Sequence, residues 1–307
     1  MTIHTPFPAA MLRPAPTRIS HSQVSSLHPA YRYSCPRKWG YRTLLGLPEQ
    51  RSLALAAGSA FDEGANCYFT MLRDGTGHEE ATSQALLIAS AHLEQEVIDS
   101  PTLFEAEGSA DAYQALIASA FVVFAEDQKG AQPALVQDRH DFVVTVGEEE
   151  IPVMGYSDRV EADGTVIDHK FSGSARWTKD GVWDEAWVSE RRGQLVTYYA
   201  GRLAKLRRWI AGGGTVETWP EPNVIQQGRL VVTYAKVGLL HPQVRSLDLT
   251  WDQEDVQRVV DTIAESWLAR KGPLPMRPGE ACRWCDFVLR CRGDQARAGT
   301  PFLALAT

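Results

Sequence analysis

The chain reads as an α/β protein, a central mixed β-sheet flanked by helices. Three observations predict this class. Strand-length apolar and β-branched runs occur at 140–147, 151–160, 165–171 and 227–236. Longer stretches with helical spacing occur at 53–72, 79–100, 109–127 and 187–210, before and between those runs. Both kinds of element recur along one chain, so helices must cover a sheet that holds them together. The first two strands pair around the turn Gly147-Glu148-Glu149-Glu150, and the third follows Ala162-Asp163-Gly164. The two alanine-rich helices within 75–130 read as a helical insertion. Asp252 caps a last predicted helix that runs to about Lys271, followed by a proline-rich loop from Gly272 to Gly279.

With 44% hydrophobic and 22% charged residues, the 307-residue chain can bury a sizeable core. No apolar run approaches the roughly 20 residues that span a bilayer, and the start, MTIHTPFPAAMLRPAPTRIS, has no signal-peptide core. The expected location is cytoplasmic, without membrane attachment. The net charge of −7 is not that of a non-specific DNA coat. Charge is uneven, however: Arg191, Arg192, Arg202, Lys205, Arg207 and Arg208 lie between 191 and 209 with no acid among them. Residues 1–20 read as a flexible tail, 21–292 as a single domain, and 293–307 as a second tail.

The five cysteines are not spaced as a disulfide framework. Cys67, in Ala65-Asn66-Cys67-Tyr68-Phe69, reads as a small core residue. The other four are Cys35, alone in Ser34-Cys35-Pro36-Arg37-Lys38-Trp39, and Cys282, Cys285 and Cys291, a C-x2-C-x5-C group in the region 280–292. Four thiolates suit zinc or an iron–sulfur cluster, and either would clasp the two chain ends. Arg283, Trp284 and Phe287 are interleaved with them and would shield such a site.

Between the cysteines lies a carboxylate–lysine constellation. Asp158 ends one predicted strand and Asp168 lies on the next, where alternation puts Asp168 and Lys170 on one face and His169 on the other. Two carboxylates suit Mg²⁺ or Mn²⁺, and a lysine beside them suits metal-dependent attack on phosphate. In the helix 187–210, Arg191, Gln194, Tyr198, Arg202 and Lys205 share one face, opposite Leu195, Tyr199, Leu203, Leu206 and Ile210. The reading is a basic DNA-binding face, with Arg191, Arg202 and Lys205 at phosphates and the tyrosine at a base or sugar.

In order, Cys35-Pro36-Arg37-Lys38-Trp39, Gly58-x3-Asp62, Gly155-x2-Asp158-Arg159, Asp168-x-Lys170, Gln194-x3-Tyr198 and C-x2-C-x5-C resemble the PD-(D/E)XK nucleases over about 22–292. The set looks like the RecB-type branch with an iron–sulfur cluster, which includes CRISPR-associated exonucleases and the AddB nuclease domain. The resemblance implies a restriction-endonuclease-like core. It implies a [4Fe–4S] cluster on Cys35, Cys282, Cys285 and Cys291, with zinc as the alternative. It implies metal ligation by Asp158, Asp168 and the His169 carbonyl, Lys170 at the attacking water, and Gln194 and Tyr198 lining the site. One departure stands out: where the family usually has histidine after Gly58, this chain has Asp62, an oxygen ligand, with Glu63 as a substitute. The activity implied is an exonuclease on single-stranded DNA ends. The alternatives are an end-trimming subunit of a CRISPR-adaptation or helicase–nuclease complex and a non-catalytic DNA-binding module. The sequence contains no G-x4-G-K-[ST] motif, so a helicase or recombination partner would supply any unwinding.

Overall fold

The computed structural model describes residues 13–49, 52–101, 110–239, 241–272, 274–279, 282–283 and 285–297. Trp284, one of the expected shielding residues, lies outside them. The chain forms two compact units, each assembled from separated segments. One comprises 1–50, 141–155 and 253–307, and the other 51–140 and 156–252.

In order the elements are α1 (His21–Leu27), α2 (Pro36–Thr43), α3 (Leu53–Arg73), α4 (His78–Asp99), α5 (Ala110–Asp127), β1 (Pro133–Val146), β2 (Glu149–Glu161) and β3 (Val166–Ser172). Then follow α6 (Glu185–Ala211), β4 (Gln227–Tyr234), β5 (Gln243–Thr250), α7 (Gln253–Ala269) and α8 (Val288–Arg297). The sheet has the order β1-β2-β3-β4-β5. β3 runs antiparallel to β2, with Arg159 opposite Ile167, and parallel to β4, with Asp168 opposite Leu230. A parallel pair needs a crossover, and α6 lies on that connection. β5 closes the sheet antiparallel to β4, which makes the sheet mixed, as expected.

The core of the larger unit explains the position of β3. Phe61, Tyr68 and Phe69 of α3, Ala81 and Ala85 of α4, and Phe121 and Phe124 of α5 pack in one cluster with Ile167 of β3 and Val231 of β4. The two alanine-rich helices thus pack into one core with the sheet. Small residues make that packing close: a Cβ on Gly64 would meet Ala89 Cβ and Phe121 Cε2 at 3.0 Å. Gly201 does the same for α6, because its Cα faces the His140 ring on β1 with no room for a side chain.

The smaller unit holds both ends of the described chain. Ile19, within the segment expected to be a loose tail, is buried and bridges Val153 in parallel. Its N–H donates to the Pro152 carbonyl at 2.9 Å, and its carbonyl accepts from Met154 N at 3.0 Å. Ser20 then caps α1 in a capping box with Gln23. The tail expected from 293 is helical to Arg297, where α8 ends. Of the expected tails, residues 1–12 and 298–307 lie outside the described residues. No helix among the described residues is long and apolar enough to cross a membrane.

Candidate active site

β2 and β3 bring the acids together. Asp158 Oδ2 accepts the backbone N–H of His169 at 2.7 Å. Asp168 is fully buried, and its Oδ1 accepts both Lys170 Nζ at 2.7 Å and Gln194 Nε2 at 2.9 Å. Gln194 also donates to the Tyr198 hydroxyl at 2.5 Å, and its Oε1 accepts from Arg191 Nη1 at 3.0 Å. One face of α6 thus supplies Arg191, Gln194 and Tyr198 to the strand carrying Asp168 and Lys170. The Tyr198 ring lies 5.8 Å from that of His140, whose Nε2 is 3.1 Å from Ser157 Oγ.

α3 brings Asp62 to the same place. A cavity of about 420 Å³ is lined by Ala54, Leu55, Gly58, Ser59, Asp62, His169, Lys170 and Phe171. Gly58 adds no side chain there, and space lies open beyond its Cα. The Asp62 side chain opens to solvent. The protein around it, with the charges of Asp158, Asp168 and Glu63, raises its carboxyl to about 7 against the pull of Lys170. Burial raises Asp158 as well; Asp168 adds to the rise, and Lys170 opposes it. Burial works to lower Lys170, but Asp168 and Asp158 outweigh it and hold the ammonium above its ordinary value. Burial and then the two aspartates raise Tyr198, which keeps its hydroxyl proton.

His169 faces away from this group, as alternation requires. Its ring packs 4.9 Å from Phe69 and 5.5 Å from Phe124, and burial lowers its pKa well below the imidazole norm. Arg159 also turns to the apolar side. It lies 3.9 Å over the Phe69 ring, with Nη2 bonded to Gln128 Oε1 at 2.9 Å and paired with Glu161 at 2.8 Å.

Among the described residues, no group of three or more His, Cys, Asp or Glu side chains stands at metal-ligating spacing. The acid set nevertheless fits a hard cation. Asp168 Oδ2 is buried without a hydrogen-bond partner, an arrangement that costs free energy until something positive meets it. Asp62 is raised by the protein around it, Asp158 by burial, and both by neighbouring carboxylates, and a cation relieves these influences.

The basic face of α6 needs correction. Arg202 is fully buried, pairs with Asp138 at 3.4 Å and Glu221 at 3.6 Å, and donates to the Pro222 carbonyl at 2.7 Å. Lys205 pairs with the same two acids. From Arg191 onward the helix carries no acid, but the tertiary fold brings acids to it from β1 and from the segment before β4. The expected apolar stripe also ends early, since Ile210 is 43% exposed. Arg191 alone of the three expected phosphate contacts reaches the acid site.

In the smaller unit, Cys35 immediately precedes α2, and its N–H bonds to the Ser26 carbonyl at 2.9 Å. Tyr41 of α2 lies 5.4 Å from Phe287 and donates to Asp294 Oδ2 at 2.6 Å. These contacts join α2 to the C-terminal segment. Burial pushes the Cys291 thiol up to about 11, with Cys35, Cys282 and Cys285 adding to the rise and Arg37 opposing it. The charges of the other three cysteines thus reach Cys291, but among the described residues they form no group at metal-ligating spacing.

Sequence reasoning passed over a tryptophan hairpin at 176–184, between β3 and α6. Its signal was three tryptophans within eleven residues, Trp177, Trp183 and Trp187, around Gly181.

No curated protein matches the chain. Among solved structures, a candidate exonuclease from Eubacterium rectale aligns with a TM-score of 0.53 at 16% identity, over 95% of this chain and 91% of that one. SSO0001 aligns with a TM-score of 0.41 at 13% identity, over 91% and 88%. At such identities the first likeness speaks to fold alone. The family profile of the PD-(D/E)XK nuclease superfamily matches residues 18–292, nearly all of the chain. With that match beside the β2–β3–α6 grouping of acids, lysine and glutamine, the chain belongs to the PD-(D/E)XK nuclease superfamily.

Proposed function

We propose that the chain is a divalent-metal-dependent deoxyribonuclease that hydrolyses phosphodiesters at single-stranded DNA ends. The observation that carries this reading is the grouping of Asp62, Asp158 and Asp168 with Lys170, in which Asp168 Oδ2 is buried and unpaired. Asp62, Asp158, Asp168 and the His169 carbonyl would hold Mg²⁺ or Mn²⁺, which in such a site acidifies water and offsets charge growing on phosphate. Lys170 keeps its proton at neutral pH under the influence of the two aspartates. It can therefore orient the attacking water or stabilise negative charge on the phosphate oxygens. Gln194 fixes the Asp168 rotamer through Oδ1 and leaves Oδ2 free for the cation. Tyr198 stays protonated and can donate to a DNA oxygen. The single-strand preference is supported by the burial of Asp168, because a thin, flexible strand end reaches an enclosed acid more readily than a duplex does.

The cysteine neighbourhood is proposed to hold a [4Fe–4S] cluster with a structural role, zinc being the competing occupant. The support is a donor set of four thiols, in which Cys35 and Cys282 add to the rise that burial produces at Cys285 and Cys291. A helicase or recombination partner would supply strand separation.

The test is digestion of end-labelled single- and double-stranded DNA with Mg²⁺ or Mn²⁺. Faster loss of the single strand from its ends supports the reading, and no cleavage with either ion overturns it.

A further inference from the structure

The segment joining β3 to α6 is a built hairpin. Trp177 and Trp183 form an antiparallel bridge. Thr178 N donates to the Val182 carbonyl at 2.8 Å, and Asp184 N to the Arg176 carbonyl at 2.9 Å. Gly181 turns the chain at φ +85°, a left-handed conformation open to glycine. Asp184 then caps α6 by accepting from Trp187 N at 3.2 Å. The hairpin therefore runs without slack into the helix that carries Gln194 and Tyr198.

Its aromatic rings and guanidiniums are arranged together. The Trp177 and Trp183 rings lie 5.1 Å apart at 66°, and Trp183 is nearly parallel to Trp187 at 6.4 Å and 11°. Arg176 and Arg191 lie over the Trp187 ring at 5.7 and 5.5 Å, and Arg245 over Trp177 at 5.1 Å. Trp177 and Trp183 remain half-buried. The Nε atoms of Arg176 and Arg191 are buried and lack hydrogen-bond partners. Each such N–H costs free energy until an acceptor meets it, and here two of them lie beside tryptophan faces next to the acid site. Arg191 also reaches Gln194, and Gln194 reaches Asp168, so the cluster is continuous with the acid site.

We propose that Trp177 and Trp183, with Arg176, Arg191 and Arg245, form the platform that takes the single-stranded DNA segment adjoining the phosphate to be cut. The indole faces stack bases, which is tolerant of sequence because every base has a π-face. The guanidiniums take the intervening phosphates in charge-assisted hydrogen bonds. This inference rests on the deoxyribonuclease reading and adds the surface that selects a single strand.

The test is binding of a fluorescein-labelled oligothymidylate about a dozen nucleotides long, measured in EDTA so that no cleavage competes. The expected results are quenching of tryptophan fluorescence by the oligonucleotide and about tenfold or greater weakening in the double variant Trp177→Ala/Trp183→Ala. Trp183→Phe should bind nearly as wild type does. Arg176→Gln leaves the rings in place and should flatten the salt dependence of binding by about one contact. Circular dichroism melting identifies any variant that fails to fold, and Arg176→Gln then carries the test. Unchanged affinity in both the double variant and Arg176→Gln, or no fluorescence quenching, overturns the platform even if wild type cuts DNA. A wild type that binds through these residues yet cuts nothing retires the nuclease reading and keeps the platform.

Discussion

Gln194 Nε2 and Lys170 Nζ donate to the same oxygen of Asp168, at 2.9 and 2.7 Å, and leave the other oxygen buried without a partner. The two donors come from different elements, so the free oxygen is a product of the fold.

Replacing Asp168 or Lys170 with alanine is expected to lower cleavage by about a thousandfold or more, the scale lost when charge stabilisation at the reacting atoms is removed. DNA binding should change little, because most affinity comes from phosphate contacts elsewhere. Single-turnover cleavage and anisotropy on the same preparations check both halves. Near-normal cleavage by either variant would remove the site.

Asp62 is expected to shape the choice of ion. Asp62→His should move the optimum from Mg²⁺ toward Mn²⁺, because nitrogen suits the softer ion. Asp62→Ala should weaken the response to either, and Glu63→Ala should not. Metal titrations of cleavage decide this, and a wild-type titration for Asp62→Ala rejects the ligand.

Asp62 also predicts a pH trend in metal-free protein. Its folded pKa of about 7 lies above the ordinary carboxylate value. Between those values the folded state binds more protons than the unfolded state, so stability falls as pH rises. The Tm of wild type in EDTA should therefore drop relative to Asp62→Asn as pH rises from about 5 to 8. A difference that stays flat or grows in the wild type's favour contradicts the surroundings and neighbouring charges assigned to this carboxyl.

Protein purified without oxygen is expected to be brown and to contain iron and sulfide on the thiols of Cys35, Cys282, Cys285 and Cys291. Cys285→Ser should lose metal and melt lower, because bound metal contributes to folding. Colourless protein with stoichiometric zinc would replace the cluster while keeping the four-thiol site.

Arg202 is expected to act in stability. Arg202→Ala removes a buried guanidinium that holds Asp138 at 3.4 Å and the Pro222 carbonyl at 2.7 Å and should cost about 1–3 kcal/mol, because Lys205 still meets Asp138. Urea unfolding measures this. Oligonucleotide affinity of the folded fraction should stay as in wild type, and a loss there would return Arg202 to the DNA-contacting set.

Much of this arrangement was legible locally. Alternation along Val166–Ser172 separates Asp168 and Lys170 from His169, and the i, i+4 step sets Gln194 beside Tyr198. Both follow from backbone periodicity, which a short stretch of sequence carries whole. β5 was missed because Arg245, Ser246 and Asp248 interrupt any apolar pattern on a half-exposed strand. The part played by α4 and α5 in the core was missed because alanine-rich helices look alike whether they pack on a sheet or stand apart.

By itself the sequence determined the periods and the order of the chemical groups, because both depend on neighbours within a turn or a strand. Only the tertiary structure decided which charges are answered. Arg202 and Lys205 lost their place on an open basic face because Asp138, more than 60 residues away, meets both. Asp168 kept one oxygen unanswered because Gln194, 26 residues on, meets only the other. Those pairings join residues far apart in the chain, and packing sets them where no local pattern reaches.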